Sequence, residues 1–521
     1  MSQTFDFKDF SEISNHAFRN PNKPAVVSGS KSLSYGQLEN ISNQIAKNLK
    51  NNSLDGEILV TVLPHCTELV SLYFACFKSQ TIISPLNFRF KFKEFETVLR
   101  HTVPKVIVIH EMFLEEILKV DQDIVDMIEY KFIIGEKIDI HRYDDWKPFH
   151  QLSKYEASAN FQICLQKNLQ RPALIFHTSG TIGIPKGVLH TMESAIYFIH
   201  GSKAAFQLHP EHRTVVLANC FHSGGFCHLF AALVSCSSCY LPSYVSQVDY
   251  FDLFSKMSEY KINHASPLSS TCIDFVDKLF DFPEVAEQLE FVSTGGDKTP
   301  AIIFEKLSKS FNINLTNIYG STEAGIVCAN HYQQGKKARV DSIGQVSDSI
   351  YETKIVDPNG KEVKEGETGE LWIRGKSVFK EYYGNSTETV KSFGPDRWYK
   401  SGDLVYQDEQ GYLHFQGRCK MMIVRNTSNI FPHEIEEVLY THSAIEKVAV
   451  LGKPHPKEGE EPIAFVCLKS NADSTSEFEL LEYLKPRISE FKIPARIYIR
   501  NFLPETSTRK IDRKSLLSTI G

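Results

Sequence analysis

The most informative stretch for chemistry is the segment 177–187, which reads HTSGTIGIPKG and follows a short apolar run at 173–176. Its glycines leave backbone N–H groups accessible to a phosphate, its hydroxyls can donate to phosphate oxygens, and its lysine can neutralise their charge. An ordinary surface turn also uses Gly, Ser, Thr and Pro, but it does not need a lysine framed by glycines. The segment therefore predicts a phosphate-binding loop. The contacts expected from it are Thr178, Ser179, Gly180, Thr181, Gly183 and Lys186.

This loop differs from the kinase-type phosphate loop, in which Ser or Thr follows the lysine, because Gly187 follows Lys186 here. It resembles instead the phosphate loop of the adenylate-forming enzymes, which include acyl-CoA synthetases, luciferases and the adenylation domains of peptide synthetases. Other segments resemble this family, in the family's own order, over almost the whole chain, and the likeness is strongest to AMP-forming acyl-CoA synthetases. These segments are 33–38, 85–87, 221–225, 293–297, 318–325, 398–403, 417–420 and 503–513.

The resemblance implies that segments 293–297 and 318–325 surround ATP. Tyr319 would offer a flat face to adenine, and the glycines of STGGD would form the wall on which adenine rests. Thr322 would give a hydroxyl to the α-phosphate. The nucleotide contacts expected here are Gly295, Gly296, Tyr319, Gly320, Ser321 and Thr322.

The resemblance also implies which residues would bind the ribose and the metal. Asp403 would accept both ribose hydroxyls, since a carboxylate has the lone pairs to do so, and Arg418 would reach the same sugar. Glu323, together with Thr178, would provide the hard oxygen ligands that Mg²⁺ prefers. The alternative for Glu323 is a solvated loop carboxylate.

Lys510, in the last motif, is expected to bridge the attacking carboxylate and the α-phosphate. An ammonium there would stabilise charge that develops during transfer. The predicted catalytic residues are thus Lys510, His222 and Thr322. The alternative for the lysine is a solvated basic tail, because Arg509, Lys510, Arg513 and Lys514 form a cluster.

His222 is expected beside the reacting carboxylate, in the acid pocket, although a core histidine is the alternative. Adenylation domains that select α-amino acids place an aspartate here to pair with the ammonium. A buried ammonium without such a partner is costly, so an amino acid substrate is not expected. Phe221, Phe226, Leu229 and Phe230 favour an apolar or aromatic acid.

Departures from the family pattern concern the second step of the family's reaction, in which the acyl group is transferred to a thiol. Arg509 replaces the glycine before the catalytic lysine, Met421 follows the hinge, and Val424 and Thr427 replace a usual lysine and glycine. A β-branched residue does not tolerate the backbone freedom of glycine. CoA is the expected thiol acceptor. Two alternatives stay open: an acyl carrier protein bearing phosphopantetheine, and a silent protein that only binds acyl-adenylate.

The elements that must position these residues alternate between helix and strand. Apolar residues at helical spacing over 35–49 predict a helix, and the β-branched runs at 58–63 and 106–109 predict buried parallel strands. We therefore expect an α/β protein with two doubly wound α/β subdomains and a small β-barrel-like unit, whose period-two pattern runs from about 343 to 398. These form a large N-terminal domain, 1–418. A small mobile α+β domain, 419–521, follows a hinge near Lys420.

Composition restricts the remaining classes of protein to which the chain could belong. The chain has 521 residues and a net charge of −6, so nothing argues for binding to nucleic acid. The most apolar stretch, 224–241, contains His228, serines and cysteines, which favours buried helix and strand over a membrane span. Eleven scattered cysteines and the absence of a signal-like start favour a cytoplasmic protein. The Cys236–Cys239 pair lacks a second pair at zinc spacing.

Overall fold

The computed structural model describes residues 9–135, 143–154, 168–178, 185–244, 248–296, 299–330, 341–347, 349–425, 428–469, 475–506 and 510–520. Its helices, in chain order, are α1 (Asp9–Arg19), α2 (Tyr35–Asn51), α3 (Thr67–Ser79), α4 (Phe92–Thr102), α5 (Leu114–Ile117), α6 (Gln122–Asp126), α7 (Met192–Phe206), α8 (Ser223–Val234), α9 (Tyr250–Glu259), α10 (Ser269–Leu279), α11 (Pro283–Gln288), α12 (Ala301–Ser310), α13 (Ser386–Ser392), α14 (Pro432–Tyr440), α15 (Glu477–Leu484) and α16 (Arg513–Ser518).

Its strands are β1 (Pro24–Ser28), β2 (Lys31–Ser34), β3 (Ile58–Val62), β4 (Ile82–Pro85), β5 (Val106–His110), β6 (Tyr130–Ile134), β7 (Trp146–Pro148), β8 (Pro172–Thr178), β9 (Lys186–Thr191), β10 (Arg213–Val215), β11 (Ser238–Tyr240), β12 (His264–Ala265), β13 (Phe291–Gly295), β14 (Asn314–Ser321), β15 (Gly325–Ala329), β16 (Gln345–Val346), β17 (Tyr351–Val356), β18 (Gly369–Gly375), β19 (Glu381–Tyr382), β20 (Tyr399–Gln407), β21 (Leu413–Arg418), β22 (Ile423–Arg425), β23 (Ser428–Ile430), β24 (Ile445–His455), β25 (Gly459–Leu468) and β26 (Ile497–Ile499).

Two large sheets form the first part of the protein. One has the strand order β16-β15-β14-β13-β12-β10-β11-β1-β2, and the other has the order β19-β9-β8-β4-β3-β5-β6-β7. Their central strands pair in parallel, and antiparallel strands lie at both edges of the first sheet and at one edge of the second, whose other edge strand, β7, is parallel. The crossovers between parallel strands place helices on the sheet faces, so the strands are buried on both sides. This confirms the predicted doubly wound α/β class.

The smaller sheets are largely antiparallel. A four-stranded sheet has the order β17-β18-β20-β21, so the predicted β unit begins slightly later and extends further than expected, to Arg418. The C-terminal part has the order β23-β22-β25-β24, with β26 parallel to β25. Helices α14 and α15 pack with these strands in a separate apolar cluster. The predicted α+β character of this part is confirmed.

Local sequence explains where several helices begin. Ser34 caps α2 in a capping box with Gln37, Thr191 caps α7, and Asp249 caps α9. Each side chain accepts a bond from a backbone N–H that would otherwise lack a helical partner. The result is that α7 starts directly after the strand that follows the phosphate-loop segment.

Helix α8 is buried from Gly225 to Val234. It is apolar on all faces, as a helix in the centre of a large protein must be. Phe226 and Phe230 pack with Tyr73 of α3 at ring-centroid distances of 5.3 and 5.7 Å. The stretch 224–241 is therefore buried helix and strand, as predicted. Among the described residues, no helix is long and apolar enough to cross a bilayer.

Candidate active site

A cavity of about 440 Å³ opens where the carboxyl ends of β10–β14 approach the loops that follow β3, β4 and β8. This is the edge at which open α/β sheets bind ligands. Predicted site residues that line it are Thr178, His222, Gly295, Gly296, Gly320, Ser321, Thr322, Glu323, Arg418 and Lys510. The structure therefore brings together residues from almost the whole length of the chain.

The hairpin of β14 and β15 presents two of these residues at its turn. The hydroxyls of Thr322 and Ser223 share a hydrogen bond of 2.9 Å, and His190 Nε2 donates to the carbonyl of Thr322 at 2.8 Å. A Cβ on Gly320 would lie 2.2 Å from the carbonyl oxygen of Gly325. The turn of the hairpin is thus bonded to α8 and β9, and its two strands lie close together. These contacts fix the orientation of the Thr322 side chain.

Glu323 is positioned by a residue that the sequence analysis missed. Tyr382 donates from its hydroxyl to Glu323 Oε1 at 2.9 Å, and the Lys186 ammonium lies 5.2 Å from the centre of the same ring. Lys186 also pairs with Glu388 at 2.6 Å. The Glu323 carboxylate, the Tyr382 phenol and the Lys186 ammonium therefore form one group beside the cavity. The short strand that carries Tyr382 pairs with β9, and that pairing is not visible in a local pattern.

The predicted phosphate loop is described only at its ends. Thr178 closes β8 and Lys186 opens β9, and the two residues face each other across this antiparallel pair. Ser179, Gly180, Thr181 and Gly183 lie outside the described residues. The described start of the segment lies at the cavity, because Thr178 lines it.

Asp403, Arg418 and Tyr319 form a polar group next to the cavity, in which Asp403 is buried, Tyr319 is half-buried and Arg418 is exposed. Asp403 and Arg418 are partners across β20 and β21, and Arg418 Nε lies 2.8 Å from Asp403 Oδ1. The Tyr319 hydroxyl donates to the other carboxylate oxygen at 2.6 Å. Asp403 raises the pKa of the Arg418 guanidinium, and burial followed by Asp403 raises that of Tyr319. Tyr319 and Asp403 lie behind the residues that line the cavity, whereas Arg418 reaches it.

Lys510 crosses from the C-terminal part to the first large sheet. Its Nζ donates to the carbonyl of Gly296 at 2.5 Å, next to the glycine wall predicted for adenine. Gly296 has a φ of +93°, a conformation that glycine adopts without strain. A Cβ on Gly295 would lie 2.4 Å from the Ile318 carbonyl oxygen, so the wall packs directly on β14.

His222 stands at the start of α8 and faces a positive environment. Its Nε2 is buried and has no hydrogen-bond partner among the described residues. Burial, Lys510 and Arg89 together lower its pKa to about 4, so the imidazole is neutral at pH 7. Because the imidazole is neutral, a carboxylate bound beside it would be the counterion of the two cations, Lys510 and Arg89. Arg89 lines the cavity and was not singled out by the sequence analysis, although it lies two residues after the 85–87 segment.

Three positions that depart from the family pattern can now be placed or set aside. Val424 lies on β22, where its N–H donates to Glu460 at 2.8 Å. Thr427 and Arg509 lie outside the described residues.

Cys236 and Cys239 are buried free thiols, and burial raises the pKa of both. Within the described chain, no group of His, Cys, Asp and Glu forms a metal cluster.

Comparison with known proteins agrees with this arrangement. The family of AMP-binding enzymes matches residues 13–383, and the C-terminal domain of AMP-binding enzymes matches residues 434–510. The chain belongs to the AMP-binding enzyme family. The resemblance inferred from the motifs is thereby confirmed, and so is the prediction that the protein is an enzyme.

Relatives within the AMP-binding enzymes differ in length. A putative acyl-CoA synthetase YngI of Bacillus subtilis is 27% identical over 95% of this chain and 94% of its own length. An indoleacetate–CoA ligase of Aromatoleum aromaticum is 26% identical over 98% and 97%. A chalcone synthase cfoA of Aspergillus candidus is 28% identical over 96% of this chain, which spans only 18% of that protein.

Solved structures of AMP-binding enzymes share the fold. The anthranilate CoA ligase AuaEII, solved with anthranoyl-AMP, superposes with a TM-score of 0.85 at 24% identity, covering 98% of this chain and 96% of the other. ATP-bound MatB from Rhodopseudomonas palustris superposes with a TM-score of 0.86 at 21% identity and 99% coverage of both chains.

Proposed function

We propose that the protein is an AMP-forming acid–CoA ligase. The observation that carries the proposal is the meeting of Lys510, Thr322, Glu323 and His222 at one cavity. Relatives that match over nearly their full length support it, since they include an indoleacetate–CoA ligase and a 2-succinylbenzoate–CoA ligase. The cofactors proposed are ATP, Mg²⁺ and CoA.

In the first half-reaction, a carboxylate oxygen of the acid attacks the α-phosphorus of ATP. The new P–O bond forms as the bond to the β-phosphate breaks, which gives acyl-AMP and pyrophosphate. Lys510 holds the attacking oxygen and the α-phosphate together and stabilises the charge that develops. Thr322 orients the α-phosphate, and Lys186 with the loop after Thr178 holds the leaving phosphates.

The residues present suit Mg²⁺ and the nucleotide. Glu323, held by Tyr382, supplies a hard carboxylate oxygen of the kind that Mg²⁺ binds. When bound, the ion would neutralise phosphate charge. Asp403 and Arg418 lie together where the ribose is expected, and the Gly295–Gly296 wall provides the adenine face.

In the second half-reaction, the CoA thiolate attacks the acyl carbonyl carbon. The bond to AMP breaks and a thioester results. We place the boundary between the two domains after Arg418, with 1–418 as the adenylation domain and 419–521 as the mobile domain that turns near Lys420. The turn after β21 is exposed at this point, as a hinge must be.

The acid is proposed to be apolar or aromatic rather than an α-amino acid. Among the described residues that line the cavity, Glu323 is the only carboxylate, and Tyr382 already binds it. An α-ammonium would therefore lack a partner near His222, and leaving it unpaired would be costly.

The test is pyrophosphate release from ATP over a panel of carboxylic acids, followed by mass analysis of products with CoA or with carrier proteins. We expect release with at least one apolar acid and a CoA thioester as product. Thioester formed only on a carrier protein would favour the carrier-loading alternative. No release with any acid would favour a silent acyl-adenylate-binding protein. Partners beyond the small molecules and a cytoplasmic location stay predictions.

A further inference from the structure

Lys186, the lysine proposed to hold the leaving phosphates, is engaged by protein groups in this structure. Its Nζ lies 2.6 Å from Glu388 Oε2. Thr178, its partner across the β8–β9 pair, lines the cavity, whereas Lys186 is not among the described residues that line it. The Lys186 ammonium therefore contacts Glu388 at a position beside the cavity.

The segment that carries Glu388 is bonded directly to the strand that carries Lys186. β19 pairs with β9, and the N–H of Tyr383 donates to the Gly187 carbonyl at 2.7 Å. Asn385 caps α13, because its side-chain oxygen accepts from the Glu388 N–H at 3.1 Å. These bonds fix the backbone at Glu388 relative to Lys186, so the pair can open by movement of side chains alone.

The Glu388 carboxylate has a second cation at its other oxygen. Lys391 Nζ lies 3.2 Å from Glu388 Oε1, three residues further along α13. The bonds from Lys186 and Lys391 lower the pKa of Glu388 below its ordinary value, so the carboxylate is ionised at pH 7. Departure of Lys186 would therefore leave Glu388 with one counterion.

The ring of Tyr382 connects this position of Lys186 to the proposed metal ligand. The Lys186 ammonium lies 5.2 Å from the centre of the ring, a distance at which the ring face attracts a cation. The hydroxyl at the other end of the ring donates to Glu323. One tyrosine ring thus separates the lysine from the carboxylate that would hold the metal and its phosphates.

The pair of Lys186 and Glu388 is one that a ligand can break. The two side chains are 21% and 30% exposed. Partly exposed ion pairs are weak, because water and salt screen them and because two long side chains must be held in one geometry. A triphosphate carries several negative charges and attracts an ammonium more strongly than one carboxylate does.

We infer that Glu388 is a positioning residue that holds Lys186 in the nucleotide-free enzyme and competes for it with the β- and γ-phosphates of ATP. The inference rests on the proposed function, because it concerns regulation of the same phosphate site. ATP draws Lys186 from Glu388 to the phosphates, and Glu388 takes the lysine back as pyrophosphate leaves. Glu388 therefore weakens the binding of ATP and of pyrophosphate, which favours release of the product.

The test measures the affinity of the full chain for Mg·ATP and for Mg·pyrophosphate by equilibrium titration without any acid. Glu388→Gln removes the charge and keeps the length of a partly exposed side chain. We expect both dissociation constants to fall by about two- to fivefold, the range that an exposed ion pair can supply. The difference from wild type should shrink at about 1 M salt, which screens such a pair.

Turnover gives an independent reading once an accepted acid is known. In E388Q, KM for ATP should fall and inhibition by added pyrophosphate should strengthen, while kcat should not rise. A merely structural role of Glu388 would instead lower kcat or raise KM.

A matched control and a second background separate this role from a general effect of charge. Glu305→Gln removes a carboxylate that pairs with Lys309 at 3.0 Å on α12, and it should leave both dissociation constants unchanged. Lys186→Met removes the lysine for which Glu388 competes. In that background Glu388→Gln should change the two affinities less than it does in the wild type, because the two residues act as a coupled pair.

Each outcome bears on one proposal. Weaker or unchanged binding of ATP by E388Q overturns this inference, and so does an effect of equal size with and without Lys186. No pyrophosphate release with any acid counts against the ligase function, while the ATP titration still decides the role of Glu388. A wild-type protein that does not bind ATP would overturn both.

Discussion

At the scale of single residues, Lys510 brings a positive charge from the C-terminal part to the proposed reaction centre. Replacing Lys510 by Ala removes the ammonium near the α-phosphate, and we expect pyrophosphate release to fall by about 10²–10³-fold, the usual loss for one electrostatic group. ATP binding, measured by equilibrium titration, should change little. The control is Lys514→Ala, an exposed lysine on α16. A K510A enzyme that releases pyrophosphate near the wild-type rate would contradict the role.

Tyr382 would act on the proposed Mg²⁺ through Glu323, to which its hydroxyl donates. The change Tyr382→Phe removes the hydrogen bond to Glu323 and keeps the ring beneath Lys186. Loss of such a supporting bond commonly weakens a metal site by about tenfold or more. We therefore expect the half-saturating Mg²⁺ concentration for pyrophosphate release to rise by about that factor. Tyr383→Phe is the neighbouring control, and equal Mg²⁺ curves for both variants would contradict the assignment.

At the scale of elements, the β14–β15 hairpin is the most restricted part of the site. Gly320→Ala would place a Cβ 2.2 Å from a backbone oxygen of β15, so the strands must separate and Thr322 must move. We expect a lower melting temperature and at least about a tenfold loss of pyrophosphate release, because small misplacements of positioning groups are costly.

The control for the hairpin is Gly366→Ala, where the added Cβ has open space and only a positive φ of 80° opposes it. Such strain costs about 1–2 kcal/mol and lies away from the cavity lining, so activity should persist. A G320A enzyme with wild-type activity and stability would show that the hairpin accommodates the added Cβ without moving Thr322, and it would contradict this prediction.

The second half-reaction belongs to the scale of the whole molecule. Lys420→Pro fixes φ in the turn after β21, which would hinder rotation of the C-terminal part about that point. We expect a single turnover of pyrophosphate to persist while CoA thioester formation slows at least about tenfold, since a hinge must absorb backbone rotation. Lys420→Ala should retain both steps. Equal loss of both steps in the proline variant would argue against a hinge here.

Stability of the whole protein should depend on pH through its buried histidines. Burial lowers the pKa of His65, His177, His190, His200, His222, His228 and His264 below the ordinary value of 6.5, to about 4 or 3 for the first six. The unfolded chain takes up protons as pH falls through about 6.5, and the folded chain does not until about pH 4. Stability is therefore fully present above 6.5 and is lost as pH falls.

Thermal melting checks this dependence. Each pKa unit corresponds to about 1.4 kcal/mol, so the melting temperature should fall by about 10 °C or more between pH 7.5 and 5.5. Carboxylates titrate mostly below this window and contribute little to it. A constant melting temperature over the same range would mean that these histidines also titrate in the folded protein.

Several parts of this description were accessible from local sequence. The helix over 35–49 and the strands at 58–63 and 106–109 were predicted within one or two residues of α2, β3 and β5, because their periodicity reflects one buried face or full burial. The end of the β unit at Arg418 was missed. Its last strands carry functional polar residues, which interrupt the alternation on which such a prediction depends.

Residue types and their order along the chain determined the family and the α/β class, and they predicted the chemistry proposed at Lys510, Thr322 and Asp403, because those properties depend on short segments. Only the tertiary structure decided which side chains meet. Lys510 contacts Gly296 across 214 positions of sequence, and Tyr382 reaches Glu323 across 59. His228 of α8 likewise meets Thr214 of β10 across 14 positions, and Thr214 meets His264 of β12 across 50. Such contacts follow from sheet order and packing, which no local spacing encodes.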